Sequence, residues 1–294
     1  VEELLRRGET VRSVDNFLTG KRENITPFLD RIEFVEGDIR DSETCRLVTE
    51  GIDFVLHQAA LPSVPRSIQN PLLTNDINIG GTLSLLIASC KAGVKKFVFA
   101  SSSSVYGDDV HLPKEEGKEG NPLSPYAASK RAGELYCQVF SLIFGLQTVC
   151  LRYFNVFGPR QDPSSQYAAV IPLFVTRMLR EEKPIIFGDG KQSRDFTFVA
   201  NVVEANILAA KAGNVSGEVF NIGCGERTTV NDLVSKINEI LGKDIRPSHS
   251  EPRPGDVRHS YADISKARKL LEYHPEVSFD EGLKRVAQFY KERK

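Results

Sequence analysis

The chain has 294 residues, of which 40% are hydrophobic and 26% are charged. That mixture is typical of a globular protein and excludes a disordered, collagen-like or coiled-coil chain. The formal net charge of −1 argues against binding to nucleic acid or to a membrane surface, since both favour basic patches. The length predicts about two domains. The chain has no apolar run of about 18 residues, so we expect no transmembrane helix.

The five cysteines are scattered, and none of them forms a C-x-x-C pair. This usage predicts reduced thiols and a cytoplasmic protein. The five histidines show no metal-ligand spacing, so we expect no metal site.

Strands and helices alternate along the first half of the chain. The predicted strands are TVRSVD, RIEFVEGD, IDFVLHQAA, KKFVFASSSS and LQTVCLRY, and the predicted helices run from Asp41 to Glu50, Asn75 to Ala92 and Ser124 to Gly145. The nearly continuous apolar run IDFVLHQAA is typical of a strand that is buried on both faces of a parallel sheet. The alternation predicts an α/β fold with a Rossmann-type, doubly wound parallel sheet.

The texture of the sequence changes from about Pro159 onwards. Short strands such as KPIIFGDG, SRDFTFV and GEVFNIG lie between short helices at 199–212 and 230–241. We therefore expect a smaller C-terminal α/β lobe. The predicted domains are 1–158 and 159–294, with some segments of the second returning to the first.

A tyrosine and a lysine carry the strongest chemical signal. The motif YAASK places Tyr126 and Lys130 four residues apart near the start of a long helix, so both side chains lie on one helical face. A neighbouring ammonium favours the phenolate and lowers the pKa of a tyrosine, which lets the pair transfer protons. Taken alone, the same spacing also fits an ordinary surface helix.

A run of serines ends the strand before that helix. Ser101–Ser104 follow the apolar residues of this strand, and ligands of open α/β sheets bind beyond the carboxyl ends of strands. A hydroxyl at this point is placed to bond a substrate oxygen beside Tyr126. The alternative is that the run is a polar loop without a role in binding.

Motifs from one end of the chain to the other carry a family resemblance. They are VDNFLTGKREN, GDIRD, HQAA, SSSSVYGD, SPYAASK, RYFNVFGPRQDP, GDGKQSRDF, FNIG and RPGDVRHSYADISKA. Together they resemble the extended short-chain dehydrogenases/reductases that act as NAD-dependent nucleotide-sugar epimerases, most closely bacterial UDP-N-acetylglucosamine 4-epimerases. The resemblance implies that residues 1–158 bind NAD and that residues 159–294 mainly bind the nucleotide sugar.

The resemblance implies a catalytic role for three residues. Tyr126 is expected to be the general acid/base, Lys130 its partner and a ligand of the nicotinamide ribose, and Ser102 the catalytic hydroxyl. Ser102 and Ser103 are also expected to contact the substrate. Ser103 and Ser104 stand where dehydratase relatives carry an Asp-Glu pair that eliminates water, which speaks against dehydration.

The expected cofactor is NAD. Asp15 ends a predicted strand, where a carboxylate binds the 2′-hydroxyl of the adenosine ribose and repels a 2′-phosphate, so NAD is favoured over NADP. Asp15 could equally be a turn residue, and alanines near a strand are often only packing. The cofactor-binding residues that the resemblance implies are Asp15, Asn16, Asp38, Ile39, Ala59, Ala60, Tyr126, Lys130 and Tyr153.

The second half of the chain is expected to bind a UDP-sugar. The resemblance implies that Asn155 contacts the sugar or diphosphate, that Arg194 and Arg253 bind the diphosphate, and that Asp256 holds the uridine ribose. Guanidinium groups suit phosphate oxygens, although either arginine could instead form a surface ion pair.

One position bears on the sugar. The resemblance places Ser260 where a bulky tyrosine goes with plain hexoses, and a small residue leaves room for an N-acetyl group. We therefore expect UDP-GlcNAc and UDP-GalNAc to be substrates, with UDP-Glc and UDP-Gal as further candidates. The reaction implied is transient oxidation at C4 with return of the hydride to the opposite face, in nucleotide-sugar metabolism and polysaccharide biosynthesis.

The start of the chain departs from the family pattern. Val1 falls inside the predicted helix VEELLRRG, and no glycine-rich turn of the family type precedes it. We expect the first strand and the glycine-rich turn to be missing from this chain, and the chain alone to bind NAD poorly. The alternatives to a 4-epimerase are a UDP-glucuronate decarboxylase or epimerase of the same fold and a non-catalytic nucleotide-binding regulator. The resemblance also implies a homodimer.

Overall fold

The structure is a computed structural model that describes residues 1–164, 169–252 and 257–293. Its α-helices are α1 (Glu2–Arg6), α2 (Ser42–Thr49), α3 (Val64–Gln69), α4 (Pro71–Asn75), α5 (Thr82–Lys91), α6 (Pro125–Phe144), α7 (Val170–Leu179), α8 (Val199–Lys211), α9 (Val230–Leu241), α10 (Ser265–Leu271) and α11 (Phe279–Lys291).

Its strands are β1 (Arg12–Asp15), β2 (Glu33–Glu36), β3 (Phe54–His57), β4 (Lys96–Ser102), β5 (Gln147–Tyr153), β6 (Val156–Phe157), β7 (Ile185–Phe187), β8 (Ser193–Arg194), β9 (Thr197–Phe198), β10 (Glu218–Ile222), β11 (Thr228–Thr229), β12 (Ser248–Ser250) and β13 (His259–Ser260). The largest sheet has the strand order β10-β5-β4-β3. Within it β3 and β4 run parallel, and β1 and β2 form their own parallel pair. The predicted α/β fold with parallel strands is confirmed.

The chain forms two compact units, each built from three segments, so no single boundary in the sequence separates them. The first unit comprises Val1–Gly107, Pro122–Leu151 and Asn206–Val219, and the second comprises Asp108–Asn121, Arg152–Ala205 and Phe220–Lys294.

The core of the first unit lies around β4. Five of its seven residues are apolar or small and buried, and α2, α5 and α6 contribute side chains to the same core. The long helix α6 begins as the sequence predicts. Ser124 is its N-cap and accepts a hydrogen bond from the backbone N–H of Ala127 at 3.1 Å, Pro125 occupies the first turn, and Gly145 ends the helix in the left-handed conformation.

Two predictions for the first unit are wrong in detail. The predicted helix from Asn75 to Ala92 contains a π-helical turn at Asp76–Gly81, which separates α4 from α5. Strand β3 is not buried on both faces, since the side chain of Phe54 at its start is 46% exposed. Both features depend on contacts with distant parts of the chain, which a local pattern does not contain.

The second unit has small sheets and a separate core. Strand β8 lies between β11, which runs antiparallel to it, and β13, which runs parallel. Its apolar core is formed mainly by α7, α9 and α11 with β9. Thr229 caps α9 in a capping box with Asp232, and α9 matches the predicted helix at 230–241.

Candidate active site

The first unit brings Ser102 and Tyr126 together. Ser102 is the last residue of β4, and its side-chain oxygen accepts a hydrogen bond from the backbone N–H of Ser104 at 3.2 Å. Tyr126 lies in the first turn of α6 and is hydrogen-bonded to the Ser102 side chain. Strand β4 and helix α6 therefore place the two predicted catalytic hydroxyls side by side at the carboxyl end of β4.

Burial controls the acidity of Tyr126. Burial raises the pKa of its phenol, and the hydrogen bond with Ser102 lowers it by a smaller amount. From the sequence, we expected the neighbouring Lys130 to lower this pKa. In the structure the net direction is upward, because removal from water outweighs the interactions that favour the phenolate.

Lys130 is buried one turn after Tyr126. Its residue exposure is 4%, and its Nζ atom donates a hydrogen bond to the backbone carbonyl of Ala100 at 2.8 Å. Nζ lies 5.9 Å from the centre of the Tyr126 ring and 5.0 Å from that of Phe99. Burial lowers the pKa of Lys130 to about 8, while Glu134 acts in the opposite direction. The amine thus sits beside the ring of Tyr126 and is tied to β4.

A buried carboxylate supports this part of α6. Glu134 is fully enclosed, its Oε1 accepts a hydrogen bond from the Ser101 hydroxyl at 2.6 Å, and its Oε2 pairs with Arg131 at 2.8 Å. Sequence analysis did not single out Glu134. The only local signal was an acidic residue at the position four after Lys130, on the buried face of the helix.

Asn78 in the π-helical turn joins two parts of the same unit. Its Oδ1 accepts from the backbone N–H of Leu61 at 2.7 Å, and its Nδ2 donates to Leu61 O at 3.2 Å and to Ser129 Oγ at 3.0 Å. The Ser129 hydroxyl in turn donates to the backbone carbonyl of Tyr126 at 2.8 Å. The segment after HQAA and the start of α6 are therefore held by one buried amide.

Six of the nine predicted cofactor residues lie at or just after the carboxyl ends of β1, β2 and β3. Asp15 ends β1 with an exposed side chain, and a Cβ added to Gly20 would lie 2.9 Å from its Oδ2. Asn16 donates a hydrogen bond to Asp38 at 2.9 Å, and hydrogen bonds from Arg40 hold the pKa of Asp38 well below its ordinary value. Ala59 is exposed and Ala60 is half-buried.

Ile39 is placed differently from its neighbours. Its side chain is 6% exposed, and a Cβ on Gly81 would come within 2.7 Å of it. Its side chain therefore packs against Gly81 of the π-helical turn, so only its backbone remains for a cofactor. The exposed carboxylate of Asp15 and the small residues after β3 fit a dinucleotide, whose ribose hydroxyls need acceptors and whose phosphates need close backbone approach.

The second unit holds Asn155, Arg194 and Ser260, three of the residues that are predicted to bind the substrate. Ser260 of β13 stands in register with Arg194 of β8. Asn155 has a positive φ of 31° and donates from Nδ2 to the backbone carbonyl of Asp195 at 3.2 Å. Tyr153, which is predicted to bind the cofactor, also belongs to this unit, where it ends β5 and is half-buried. The predicted residues Arg253 and Asp256 lie outside the described residues.

A cavity of about 150 Å³ adjoins these residues in the second unit. Its apolar wall comes from α7, β7, Phe196 and the first residue of α9, and its polar side chains are Asn155, Gln192 and Arg194. The full lining is Asn155, Val170, Leu173, Phe174, Ile185, Ile186, Phe187, Gln192, Arg194, Phe196 and Val230. Apolar walls with a few polar groups are typical of small-molecule sites. Apart from Asn155 and Arg194, sequence analysis did not identify these residues.

Neither a metal site nor a membrane-spanning helix is found in the part of the chain that the structure describes. It contains no group of three or more side chains that could hold a metal ion. Nor does any helix in it have both the length and the apolar character needed to cross a membrane.

Comparison with known proteins gives one consistent result. The sequence profile of the NAD dependent epimerase/dehydratase family matches residues 1–223. A UDP-glucose 4-epimerase from Mycolicibacterium smegmatis is 36% identical over 297 residues, which cover 100% of this chain and 94% of the relative. A UDP-glucuronate 4-epimerase from Thermodesulfobacterium geofontis is 36% identical over 302 residues, which cover 99% of this chain and 91% of the relative.

Solved structures agree. A UDP-glucose 4-epimerase from Thermotoga maritima, solved with UDP-glucose, has a TM-score of 0.94 and 41% identity, covering 99% of this chain and 94% of the other. A UDP-N-acetylglucosamine 4-epimerase from Methanobrevibacter ruminantium, solved with UDP-N-acetylmuramic acid, has a TM-score of 0.93 and 41% identity. The match covers 97% of this chain and 92% of the other. A UDP-glucose 4-epimerase from Thermus thermophilus, solved with NAD, has a TM-score of 0.90 and 35% identity, covering 99% and 94%.

The solved structures cover nearly the whole chain, and together with the family profile they confirm the Rossmann-type fold and the cofactor, NAD, that the motifs predict. The chain belongs to the NAD dependent epimerase/dehydratase family of enzymes.

Proposed function

We propose that the protein is an NAD-dependent 4-epimerase of UDP-sugars that interconverts UDP-GlcNAc and UDP-GalNAc. The observation that carries this proposal is the hydrogen-bonded pair of Ser102 and Tyr126 at the carboxyl end of β4, with the amine of Lys130 beside the tyrosine ring. The names of the similar proteins support the class of reaction.

Tyr126 acts as the general base and then the general acid. It takes the proton of the sugar 4-hydroxyl and returns it at the end of the cycle, while Ser102 bonds the same sugar oxygen. Lys130 keeps a positive charge near the ring, which favours the phenolate. NAD, when bound, supplies the transient removal of hydride from C4 and its return to the opposite face.

Side chains near Asp15 are proposed to hold the cofactor. The exposed carboxylate of Asp15 would accept hydrogen bonds from the ribose hydroxyls, and Asp38, which accepts a hydrogen bond from Asn16, would contact the adenine together with the backbone of Ile39. Ala59 and Ala60 leave space for the backbone to approach the phosphates. Lys130 also binds the nicotinamide ribose.

The second unit is proposed to bind the nucleotide. Arg194 and Arg253 neutralise the diphosphate, Asn155 contacts the sugar or diphosphate, and Asp256 holds the uridine ribose. The small side chain of Ser260, in register with Arg194, leaves room for an N-acetyl group. Binding energy from the nucleotide, remote from C4, then positions the reacting sugar.

The test is an NMR assay of UDP-GalNAc and UDP-Gal with added NAD. Conversion of both sugars, or of the N-acetylated sugar alone, is the expected result. Conversion of UDP-Gal alone would retain the mechanism and overturn the substrate preference. Failure to convert either sugar while NAD is bound would contradict the proposal, and a parallel assay with UDP-glucuronate would test the alternative represented by the similar UDP-glucuronate 4-epimerase.

We also propose that the protein is a homodimer that pairs through α6. Near the end of this helix Leu142 is 82% exposed and Ile143 is 67% exposed, and Leu135, Val139 and Phe144 are exposed as well. Exposed apolar side chains that are grouped along one helix face are typical of a protein–protein contact. Light scattering is expected to give a dimer for the wild type and a monomer for Leu142→Glu, whereas a monomeric wild type would contradict this proposal.

A further inference from the structure

A buried carboxylate lies next to the proposed nucleotide-binding residues. Asp195 is fully enclosed. Its Oδ1 accepts a hydrogen bond from the backbone N–H of Cys224 at 2.8 Å, and its Oδ2 accepts from the N–H groups of Gly225 at 3.0 Å and Ala262 at 3.2 Å. One side chain therefore joins the end of β8, the turn after β10 and the residues after β13.

The surrounding backbone is fitted closely to this carboxylate. A Cβ added at Gly223 would lie 2.6 Å from Asp195 Oδ2 and 2.9 Å from the Cβ of Ala262. The hydroxyl of Tyr273, which is fully buried, donates to the carbonyl of Gly223 at 3.0 Å and holds the turn from its other side. The turn can approach Asp195 this closely because it contains glycine.

The backbone of Asp195 contacts two of the proposed substrate residues. Its N–H donates to the carbonyl of Ser260 at 2.9 Å, and its carbonyl accepts from Asn155 Nδ2 at 3.2 Å. Arg194 precedes Asp195 in the chain and pairs in register with Ser260. A displacement of Asp195 would therefore move three residues that we assign to nucleotide-sugar binding.

We propose that Asp195 is a positioning residue for sugar-nucleotide recognition, whose carboxylate fixes the backbone that presents Arg194, Ser260 and Asn155. This inference rests on the proposed function of the second unit. A carboxylate suits the role because it only accepts hydrogen bonds, and three N–H donors converge on it. An amide of the same shape would turn its own N–H₂ group towards at least one of these donors and leave a buried donor unpaired.

The test compares two substitutions in the second unit, each of which exchanges an acid and an amide side chain of nearly equal shape. Asp195→Asn replaces the carboxylate by an amide. Its control is Asn238→Asp, since Asn238 is half-buried and forms two hydrogen bonds with the backbone of Ile245, at 3.0 and 2.9 Å, with none to the proposed site. Binding of UDP is measured by titration calorimetry, and kcat and KM are measured with UDP-GalNAc.

The expected result is a split between binding and turnover. Asp195→Asn raises the Kd for UDP and the KM about tenfold or more, which is a loss of about 1.4 kcal/mol per factor of ten. Its kcat at saturation stays close to that of the wild type, because Tyr126 and Lys130 belong to the other unit. Asn238→Asp keeps the wild-type Kd and KM. A purely structural role for Asp195 predicts instead that both variants lose stability while their Kd for UDP is unchanged, and that result would overturn the inference.

Wild-type measurements separate this inference from the proposed function. If the wild type neither binds UDP nor epimerises a UDP-sugar, the proposed function fails, and this inference with it. If the wild type is active and Asp195→Asn does not fold, hydrogen exchange of the wild type decides. UDP is expected to slow the exchange of amides in segments 222–226 and 260–264 and to leave segment 238–245 unchanged. Unchanged exchange in the first two segments would overturn the inference.

Discussion

The side-chain amine of Lys130 donates a hydrogen bond to the backbone carbonyl of Ala100 at 2.8 Å, two residues before Ser102. This bond ties α6 to β4 next to the point where the strand ends. Tyr126, one helical turn before Lys130, is thereby kept beside the Ser102 hydroxyl. The proposed chemistry therefore depends on the register between one helix and one strand, and a buried lysine fixes that register.

Removal of the Tyr126 hydroxyl is expected to abolish most of the turnover. Tyr126→Phe keeps the ring that lies beside Lys130 but cannot exchange a proton with the sugar, so kcat falls by about 10²–10⁴-fold. The measurement is the NMR assay of UDP-GalNAc conversion. Tyr136→Phe on the same helix removes a hydroxyl of the same kind and is expected to retain activity. Turnover of Tyr126→Phe close to that of the wild type would refute the assignment.

The pH dependence of the reaction should report on Lys130. Burial lowers the pKa of this amine to about 8, so it is charged below that pH and neutral above it. Because the charge assists Tyr126, kcat/KM is expected to fall as the pH rises through about 8. Glu134→Gln removes a charge that raises this pKa and should move the decline to lower pH, whereas Glu239→Gln at an exposed position of α9 should leave it in place.

Enlargement of Ser260 is expected to change the preferred sugar. Ser260→Tyr fills the space that we assign to the N-acetyl group, so conversion of UDP-GalNAc should fall relative to that of UDP-Gal. A steric clash that costs about 1.4 kcal/mol or more would lower this ratio about tenfold or more. Competition between the two sugars in one NMR sample measures the ratio. Ser250→Tyr on exposed β12 provides the control, and an unchanged ratio in Ser260→Tyr would rule out the steric explanation.

The charge of Asp15 is expected to select NAD. Asp15→Asn keeps an oxygen that can accept the hydrogen bond from the Phe17 N–H, now 2.8 Å from Oδ1, but no longer repels a 2′-phosphate. The ratio of the Kd values for NADP and NAD should therefore decrease. Asp30→Asn, at an exposed position in the same unit, is the matched control. If both variants keep the wild-type ratio, the carboxylate of Asp15 does not distinguish a ribose 2′-hydroxyl from a 2′-phosphate.

Close packing at Gly133 predicts a loss of stability on substitution. A Cβ at this position would lie 2.4 Å from the ring of Phe99, and overpacking of this kind costs about 1–3 kcal/mol. Gly133→Ala is therefore expected to lower the free energy of unfolding in urea. Gly80→Ala, where a Cβ would meet no atom within 4 Å, is expected to cause no such loss. Equal stability of the two variants would contradict the packing argument.

The sequence predicted those features that depend on neighbouring residues. The predicted bounds Ser124 and Gly145 mark the ends of α6, and the predicted helix at 230–241 matches α9, because helix ends depend on residues only a few positions apart. The YAASK spacing likewise led to Tyr126 and Lys130. The expected direction of the Tyr126 pKa was wrong because the spacing shows the nearby charge but not the burial, which has the larger effect.

Features built from distant segments were missed for the same physical reason. The carboxylate of Asp195 draws its three donors from residues about 30 to 70 positions away, and nothing local to SRDF indicates them. The π-helical turn also escaped prediction, since an apolar pattern with about 3.6 residues per turn does not reveal one wider turn.

The π-helical turn makes the number of residues in segment 76–81 important. Within it and just after it, Asn78 holds the backbone of Leu61, and Thr82 bonds His57 at the end of β3 at 2.8 Å. Loss of one residue between them would restore a regular helix and rotate one of these side chains away from its partner by roughly a quarter turn or more. The segment 76–81 thus acts as a spacer of fixed length, and substitutions there should be tolerated more readily than deletions.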